Sequence, residues 1–315
     1  MNNKSTSFFA CICVALGYII FGLSYLFTAN LLKTTSVFDA IALRFLISTL
    51  FLTILCITGI IKVNFKNKSL KFLFLTALFE PVFYFIFETF GIKYTTTTIA
   101  GMIIAFTPAI AAIAETIILK EKTTFLQKVF LIMSITGVAI VSLYSKNDGK
   151  NTAFGIICLL ITAVCGALFI VSSRKISSDF SPMEITYFSS ILGAVVFNAI
   201  CVAIHVSDGS LTSYFAPLKS IDNLVGLLFL SIVSSFVATT LINFGTSKLQ
   251  ASSVSSFSGI STVTTIVTGV MFNGEVLKLF HIISVVLILT GVIGMNYIKI
   301  KSAENKCESI SDDIK

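Results

Sequence analysis

Ten apolar runs, each long enough to cross a membrane as a helix, follow one another along nearly the whole 315-residue chain. A transmembrane helix needs about 20 consecutive apolar residues. Charged residues make up only 12% of the sequence, about half their share in soluble domains and too few to cover a water-facing surface. This excludes a soluble enzyme and predicts an all-α polytopic membrane protein with ten transmembrane helices. The predicted spans are 8–31, 37–61, 70–91, 96–118, 125–144, 153–173, 182–205, 222–243, 250–272 and 279–298.

Lysine and arginine residues are distributed unevenly over the loops between these runs. With the N-terminus inside, 15 of the 22 basic residues lie in cytoplasmic segments, 6 lie outside and Arg44 falls within a span. Short cytoplasmic loops collect basic residues. The bias therefore predicts a multi-pass plasma-membrane protein with both termini in the cytoplasm, and it accounts for the net charge of +7 without a nucleic-acid partner. The polar tail 299–315 is predicted to be cytoplasmic and disordered.

Residues that would hold a cofactor or a metal, or carry out catalysis, are few. The seven cysteines include no C-x-x-C pair, and the two histidines, His205 and His281, lie at span ends, where we expect them to be isolated. The sequence also contains no nucleophile elbow and no phosphate-binding loop. We therefore expect no enzymatic activity, no cofactor and no metal site.

The two halves of the chain match each other at a fixed offset of 154 residues. The predicted units are 1–149 and 150–298, and each contains five spans. Because five is odd, the second unit enters the membrane from the opposite side, which gives the inverted repeat common in secondary transporters. The matches pair Phe90-Gly91 with Phe244-Gly245, Glu121 with Glu275, and Thr136-Gly137-Val138 with Thr290-Gly291-Val292.

Spans two and seven begin with the same capping pattern. Ser36 stands three residues before Asp39, and Ser181 stands three residues before Glu184. In a capping box the serine side chain accepts a hydrogen bond from the third backbone amide, and the acidic side chain accepts one from the backbone amide of the serine. We expect both acids to do no more than begin their helices.

A set of motifs in each half carries a resemblance to a known family. The first half contains Gly91-Ile92-Lys93-Tyr94-Thr95 ahead of a helix rich in threonine, followed by Pro108, Glu115, Lys120-Glu121-Lys122 and Gly137. The second half repeats the pattern through Gly245, Gly274-Glu275 and Gly291, but Thr262 replaces Pro108, so no proline bend is expected in span nine. The chain resembles the EamA repeat of the drug/metabolite transporter superfamily. The resemblance implies ten helices around a central pathway, export from the cytoplasm and no ATPase.

Span three carries two acidic residues inside the membrane. Glu80, Tyr84 and Glu88 follow one another at helical spacing and share one broad face. Counted from Lys71, Glu80 lies about 14 Å deep, near the middle of the apolar core. Ionisable groups at that depth usually line a cavity or pair with each other. We predict that Glu80 binds protons or a cationic substrate, next to Pro81 and Tyr84; the alternative is a protonated side chain bonded to a neighbouring helix.

Arg44 and Glu88 are predicted to lie near the outer ends of their spans. A direct ion pair between them would form an outer gate, whereas independent contact of each side chain with water would not. Arg44 also suits a substrate carboxylate, because its planar fork matches that group. That alternative would favour amino acids or organic acids.

Spans four and nine are rich in small hydroxyl residues, which allow close helix packing and also present hydroxyl groups to a solute path. Ser256 in span nine is a candidate for solute binding, and Asn243 at the end of span eight is another.

Together these features predict a secondary active transporter that exports small organic metabolites, such as amino acids or drug-like solutes, by alternating access. Protons are the candidate coupling ion, the lipid bilayer is the environment, and the protein is expected to be a monomer or a homodimer. Two alternatives stay open at this point. One is an uncoupled facilitator or channel for small metabolites, and the other is a membrane interaction protein without transport.

Overall fold

The computed structural model describes residues 3–66, 68–119, 124–144 and 151–313. Within these residues the chain forms helices and loops only, which confirms the all-α polytopic fold. Nine of the described helical segments are long and apolar enough to cross a membrane, and a tenth apolar segment covers Leu279–Met295.

Six spans are continuous helices, and their bounds agree with the predicted runs to within a few residues at most ends. The last helix is the exception, because it continues through Asp313, whereas the sequence predicts a disordered tail from residue 299. Alanine, lysine and glutamate in this tail are good helix formers, so helix propensity extends the span beyond its apolar part. The continuous helices are Asn3–Leu31, Val37–Ile57, Phe125–Tyr144, Ala153–Ile176, Pro182–Ser207 and Leu279–Asp313.

The other four spans are interrupted. Spans three and eight contain a π-helical segment, at Leu78–Phe83 between Leu70–Ala77 and Tyr84–Lys93, and at Phe229–Ala238 between Ile221–Leu228 and Thr239–Lys248. Spans four and nine are each divided into two helices, at Thr97–Ile104 and Thr107–Leu119, and at Ala251–Ser256 and Ser258–Asn273. The interruptions therefore occur at corresponding places in the two halves.

Span nine is interrupted although it has Thr262, not a proline, at the position that corresponds to Pro108. Serine and threonine hydroxyls can bond to carbonyls one turn back and so weaken and bend a helix. Thr262 donates to the carbonyl of Ser258 at 3.2 Å, and Thr265 donates to the carbonyl of Ser261 at 2.8 Å. The hydroxyl-rich sequence thus supplies a cause of bending that does not require proline.

Packing between the spans is symmetric under exchange of the two halves. Span two packs on span seven, span four on span nine, and span five on span ten. Span one packs on spans eight and nine, just as span six packs on spans three and four. The arrangement fits two inverted five-helix repeats, while the boundary between residues 149 and 150 stays a prediction. Glu121 and its flanking lysines, which contribute to the predicted repeat, lie outside the described residues.

The capping acids do more than begin their helices, because each also anchors the linker that follows the span packed beside it. Ser181 and Glu184 form a complete capping box, and Glu184 also accepts from the amide of Asn64 at 2.9 Å and from Nζ of Lys68 at 2.7 Å. Ser36 caps span two, but the carboxylate of Asp39 turns to His205, whose Nε2 lies 2.8 Å away. His205 is therefore not isolated, contrary to the prediction.

Candidate functional site

Span three loses its helical path at Glu80. This residue has φ −141° and ψ 117°, an extended conformation inside an otherwise helical span. Pro81 provides the cause, because proline lacks a backbone N–H and disfavours helical geometry in the residue before it. The predicted weakening of the helix beside Pro81 is present, and it places Glu80 at the break.

Glu80 and Tyr84 line a cavity of about 50 Å³ between the two halves of the bundle. Side chains from spans one, three, four, six, eight and nine form its wall, so both repeats contribute. Most of the wall is apolar, and the polar groups are Glu80 and a set of hydroxyls. The hydroxyl residues are Tyr18, Tyr25, Tyr84, Thr107, Thr239, Ser258 and Ser261.

Two of these hydroxyl groups, those of Thr107 and Ser258, are buried but bond to no described residue, whereas the hydroxyl of Tyr25 interacts with Glu88 and Tyr84. A buried polar group without a partner costs about 1–3 kcal/mol, so such groups are rare in well-packed interiors and need an explanation. Here the hydroxyl groups of Thr107 and Ser258 line the same small cavity. A polar solute or water in the cavity would give them partners.

A second, smaller cavity of about 10 Å³ lies on the other side of Glu80. It is lined by Pro81 and Phe85 of span three together with residues of spans two, six, seven and eight. Glu80, Phe169 and Thr239 contribute to both cavities. The carboxyl group therefore lies between two internal spaces rather than within a sealed core.

Arg44 is fully enclosed by protein. It is 3% exposed, its Nε donates to Ser235 at 2.7 Å, and its Nη2 donates to Ser234 at 2.9 Å. Its guanidinium also lies 4.3 Å from the centre of the Phe85 ring. At the repeat offset of 154, Ser234 corresponds to Glu80. The second repeat thus presents a hydroxyl to Arg44 where the first presents a carboxyl group to the cavity.

Glu88 lies one turn beyond Tyr84 and is 2% exposed. Tyr25, Tyr84 and Arg44 all interact with its carboxyl group electrostatically. No direct ion pair joins Glu88 to Arg44 in the described structure, and Oε1 of Glu88 bonds to no described residue. The pairing predicted from sequence is therefore not formed here, and two of the donors of Arg44 bind Ser234 and Ser235 instead.

Asn243 and Ser256 do not line either cavity as described. Asn243 is 1% exposed, accepts a hydrogen bond from Ser173 at 3.0 Å and donates one to Thr186 at 3.1 Å. Its amide joins spans six, seven and eight. Ser256 is half-buried at the end of the first helix of span nine. Their part in transport stays a prediction.

The sequence analysis missed the contribution of span one. Tyr18, Phe21 and Tyr25 all line the cavity, and they recur at the i, i+3, i+7 spacing of one helix face. That spacing was a usable signal, but many apolar positions surround it. The analysis also missed Cys201 and His205, which stand one turn apart near the end of span seven and meet Asp39 in space.

The sequence model of the EamA-like transporter family matches residues 8–143 and 153–297, which together cover most of the chain. The chain belongs to the EamA-like transporter family. Each match covers one of the two halves that the sequence repeat indicates. Membership makes the protein a multi-pass membrane transporter for a small-molecule substrate, and it agrees with the expected absence of enzymatic function.

Related proteins agree with this assignment to the EamA-like family. The uncharacterized transporter YcxC of Bacillus subtilis (strain 168) is 32% identical over 91% of this chain and 92% of its own length. An uncharacterized transporter of Archaeoglobus fulgidus is 24% identical over 89% of this chain and 96% of its own. A solved crystal structure superposes with a TM-score of 0.61 over 94% of this chain and 97% of its own, at 14% identity. That similarity concerns the fold alone.

Proposed function

We propose that the protein is a secondary active transporter that exports a small amphipathic organic metabolite, such as an amino acid or a drug-like amine, in exchange for protons. The cavity between the two halves is the binding site, and Glu80 is the group that binds the cationic part of the solute or the proton. The observation that supports this proposal is the presence of Glu80 and of two unpartnered hydroxyl groups, those of Thr107 and Ser258, around one internal space.

The charges around the cavity support a cationic ligand. Glu80 and Glu88 stand against Arg44 in this part of the interior. Two carboxylates and one guanidinium leave an excess negative charge when all are ionised, and an unbalanced charge inside a membrane is costly. A bound proton or an ammonium group would neutralise it. Such a site binds either the proton or the ammonium group, but not both at once, as exchange requires.

The uncharged part of the wall indicates the rest of the solute. Phe21, Ile104, Phe169, Ile170 and Ile242 supply apolar surface, while Tyr25, Thr107 and Ser258 supply hydroxyl groups. Binding sites for small molecules commonly combine an apolar lining with a few placed polar groups. The site therefore fits a solute that has an amine, an apolar body and at least one further polar atom.

The size of the cavity supports alternating access. A volume of about 50 Å³ holds a few water molecules but no organic metabolite. Solute entry thus requires a wider conformation. The interruptions of spans three, four, eight and nine supply places where each half can bend next to the cavity, and equivalent bends in the two halves would open it toward opposite sides.

Glu80→Gln tests the proposal. Solutes inside and outside cells that produce the wild-type protein, Glu80→Gln or no protein would be compared over a broad panel of amines and amino acids. The solute found would then be measured in proteoliposomes with an imposed pH gradient. We expect Glu80→Gln to abolish export while the amount of protein in the membrane is unchanged.

Asp179→Asn serves as the control, because Asp179 is an exposed acid in the loop between spans six and seven. It should export like the wild-type protein. Unchanged export by Glu80→Gln would remove Glu80 from the mechanism. Wild-type flux that a pH gradient never drives uphill would favour the uncoupled facilitator instead.

A further inference from the structure

Three side chains with metal-binding atoms meet at the end of spans two and seven that the topology places outside. Asp39 lies in the first turn of span two, and Cys201 and His205 lie one turn apart near the end of span seven. The thiol of Cys201 and Nε2 of His205 each lie 2.8 Å from Oδ1 of Asp39. One ligand atom from each residue falls within 4.8 Å of the other two.

The spacing within span seven is suited to metal binding. Residues four apart on a helix project from the same face, so Cys201 and His205 can bind one ion together without a change in the backbone. Asp39 approaches from the neighbouring span and completes a set of sulfur, nitrogen and oxygen ligands. Zn²⁺ accepts this mixture in tetrahedral sites, whereas Mg²⁺ and Ca²⁺ prefer oxygen ligands alone.

Ser210 supports the imidazole from the far side. Nδ1 of His205 lies 2.8 Å from the hydroxyl oxygen of Ser210 and 3.1 Å from its carbonyl oxygen. A histidine that binds a metal through one ring nitrogen usually donates the N–H of the other to a carbonyl or carboxylate. The carbonyl of Ser210 can accept the Nδ1 hydrogen, which leaves the lone pair of Nε2 directed at the position of the ion.

The geometry requires only a small adjustment. Tetrahedral zinc with bonds of 2.0–2.3 Å places its ligand atoms about 3.3–3.7 Å apart. The two contacts of 2.8 Å to Asp39 would open by less than about 1 Å when an ion enters between them. The side chains of His205 and Asp39 keep 11% and 16% of their surface exposed, so an ion can reach the group from solvent.

The equivalent contact at the other end of the bundle shows what simple anchoring requires. There Glu184 holds the linker after span two through an ion pair with Lys68, at 2.7 Å, and through the amide of Asn64. No cysteine or histidine takes part in that contact. At the Asp39 end, a cysteine and a histidine take the place of this lysine. The two spans are therefore joined there by residue types that can also bind metals.

We propose that Asp39, Cys201 and His205 form a binding site for a zinc-like divalent transition-metal ion, with water as the fourth ligand. On binding, the thiol of Cys201 releases its proton to solvent, and the ring hydrogen of a neutral His205 moves from Nε2 to Nδ1. The ion links the start of span two to the end of span seven, together with the linker that contains Ser210.

Calorimetric titration of the purified full-length protein with Zn²⁺ tests the proposal. We expect one ion per chain, with an affinity that falls about tenfold or more in His205→Asn and in Cys201→Ser. Mg²⁺ should not compete. Matched controls are His281→Asn, Cys56→Ser and Lys68→Met, the last of which breaks the equivalent anchor at the other end without removing a ligand. All three should bind Zn²⁺ like the wild-type protein.

A second measurement uses the wild-type chain, so it does not depend on the folding of a variant. Binding of Zn²⁺ should release about one proton per chain into a weakly buffered solution as the Cys201 thiol ionises, as read by a pH indicator, whereas Mg²⁺ should release none. The proposal is overturned by a wild-type protein that binds no Zn²⁺, by unchanged affinity in both ligand variants, or by Zn²⁺ binding that releases no proton.

Discussion

At the scale of single residues, the charged groups of the interior differ in the partners that surround them. Arg44 has two serines and an aromatic ring around it, and these replace the water that it would contact outside the membrane. Glu80 and Glu88 instead face cavities and tyrosines, and Oε1 of Glu88 has no partner among the described residues. Arg44 is thus held by protein groups, whereas Glu80 lines the cavities.

Substitution of Arg44 should show this fixed role. Arg44→Lys keeps the charge but cannot reproduce the two hydrogen bonds to the serines. We therefore expect the free energy of unfolding in detergent to fall by about 1.5–3 kcal/mol. Arg44→Met should cost more, because it also leaves Glu80 and Glu88 without a nearby positive charge. Addition of Glu88→Gln to Arg44→Met should restore part of the loss, as measured by a double-mutant cycle of unfolding free energies.

The control is Arg174→Lys, because Arg174 donates a single bond to the carbonyl of Thr246 from an exposed position. Its effect should be small. Equal stability of Arg44→Met and Arg44→Lys would show that the charge of Arg44 does not balance the two acids.

At the scale of helices, the interruptions of spans three, four, eight and nine decide where the bundle can change shape. In span three, Pro81 both removes a backbone donor and forces Glu80 out of helical geometry. In span nine, hydroxyl groups that donate to carbonyls of their own helix also weaken and bend the helix. The remaining spans are regular and form a more rigid frame around these four.

Pro81→Ala should make span three more regular. Alanine restores the missing N–H and favours a helix by about 3 kcal/mol over proline, so we expect a higher melting temperature. Transport should fall, because Glu80 would leave its position between the two cavities. Pro182→Ala is the control, since Pro182 is in the first turn of span seven, where proline is tolerated. Undiminished transport by Pro81→Ala would show that the break is not needed.

Spans five and ten should depend on glycine at their contact. A methyl group at Gly137 would lie 2.7 Å from Cγ1 of Ile288 and 2.8 Å from the carbonyl oxygen of Ser284. We expect Gly137→Ala to destabilise the protein by about 1–3 kcal/mol through overpacking, measured by thermal unfolding in detergent. Gly226→Ala is the control, because a methyl group there would meet only Phe27, at 3.9 Å. Comparable melting temperatures for the two variants would contradict this account.

At the scale of the whole molecule, the exchange symmetry of the packing gives the two halves similar surroundings. Each span has a counterpart with equivalent neighbours, as the proposed alternating access requires. The chemistry is not symmetric, because Glu80 in the first half corresponds to Ser234 in the second. Under the proposed mechanism, the carboxyl group of Glu80 would serve both orientations of the frame.

The orientation of the halves can be tested by cysteine accessibility. Cysteines introduced at Lys33 and Lys278, one in each half, should both react with an impermeant maleimide added to intact cells. Cysteines at Lys66 and Lys175 should react only after the cells are permeabilised, because the basic loops are expected inside. Labelling of Lys33 and Lys278 from opposite sides would disprove the inverted repeat and the alternating access that depends on it.

The sequence by itself determined the ten spans, the two-fold repeat, and the position of Glu80 and Tyr84 beside Pro81 in span three. These features depend on local physics: the length of an apolar run against the thickness of a bilayer, and the periodicity of a helix. Only the tertiary structure decided that Arg44 binds Ser234 and Ser235 rather than Glu88, and that His205 meets Asp39. Those contacts join residues 191, 190 and 166 positions apart, and they depend on how each helix is rotated against its neighbours, which an almost uniformly apolar sequence leaves unspecified.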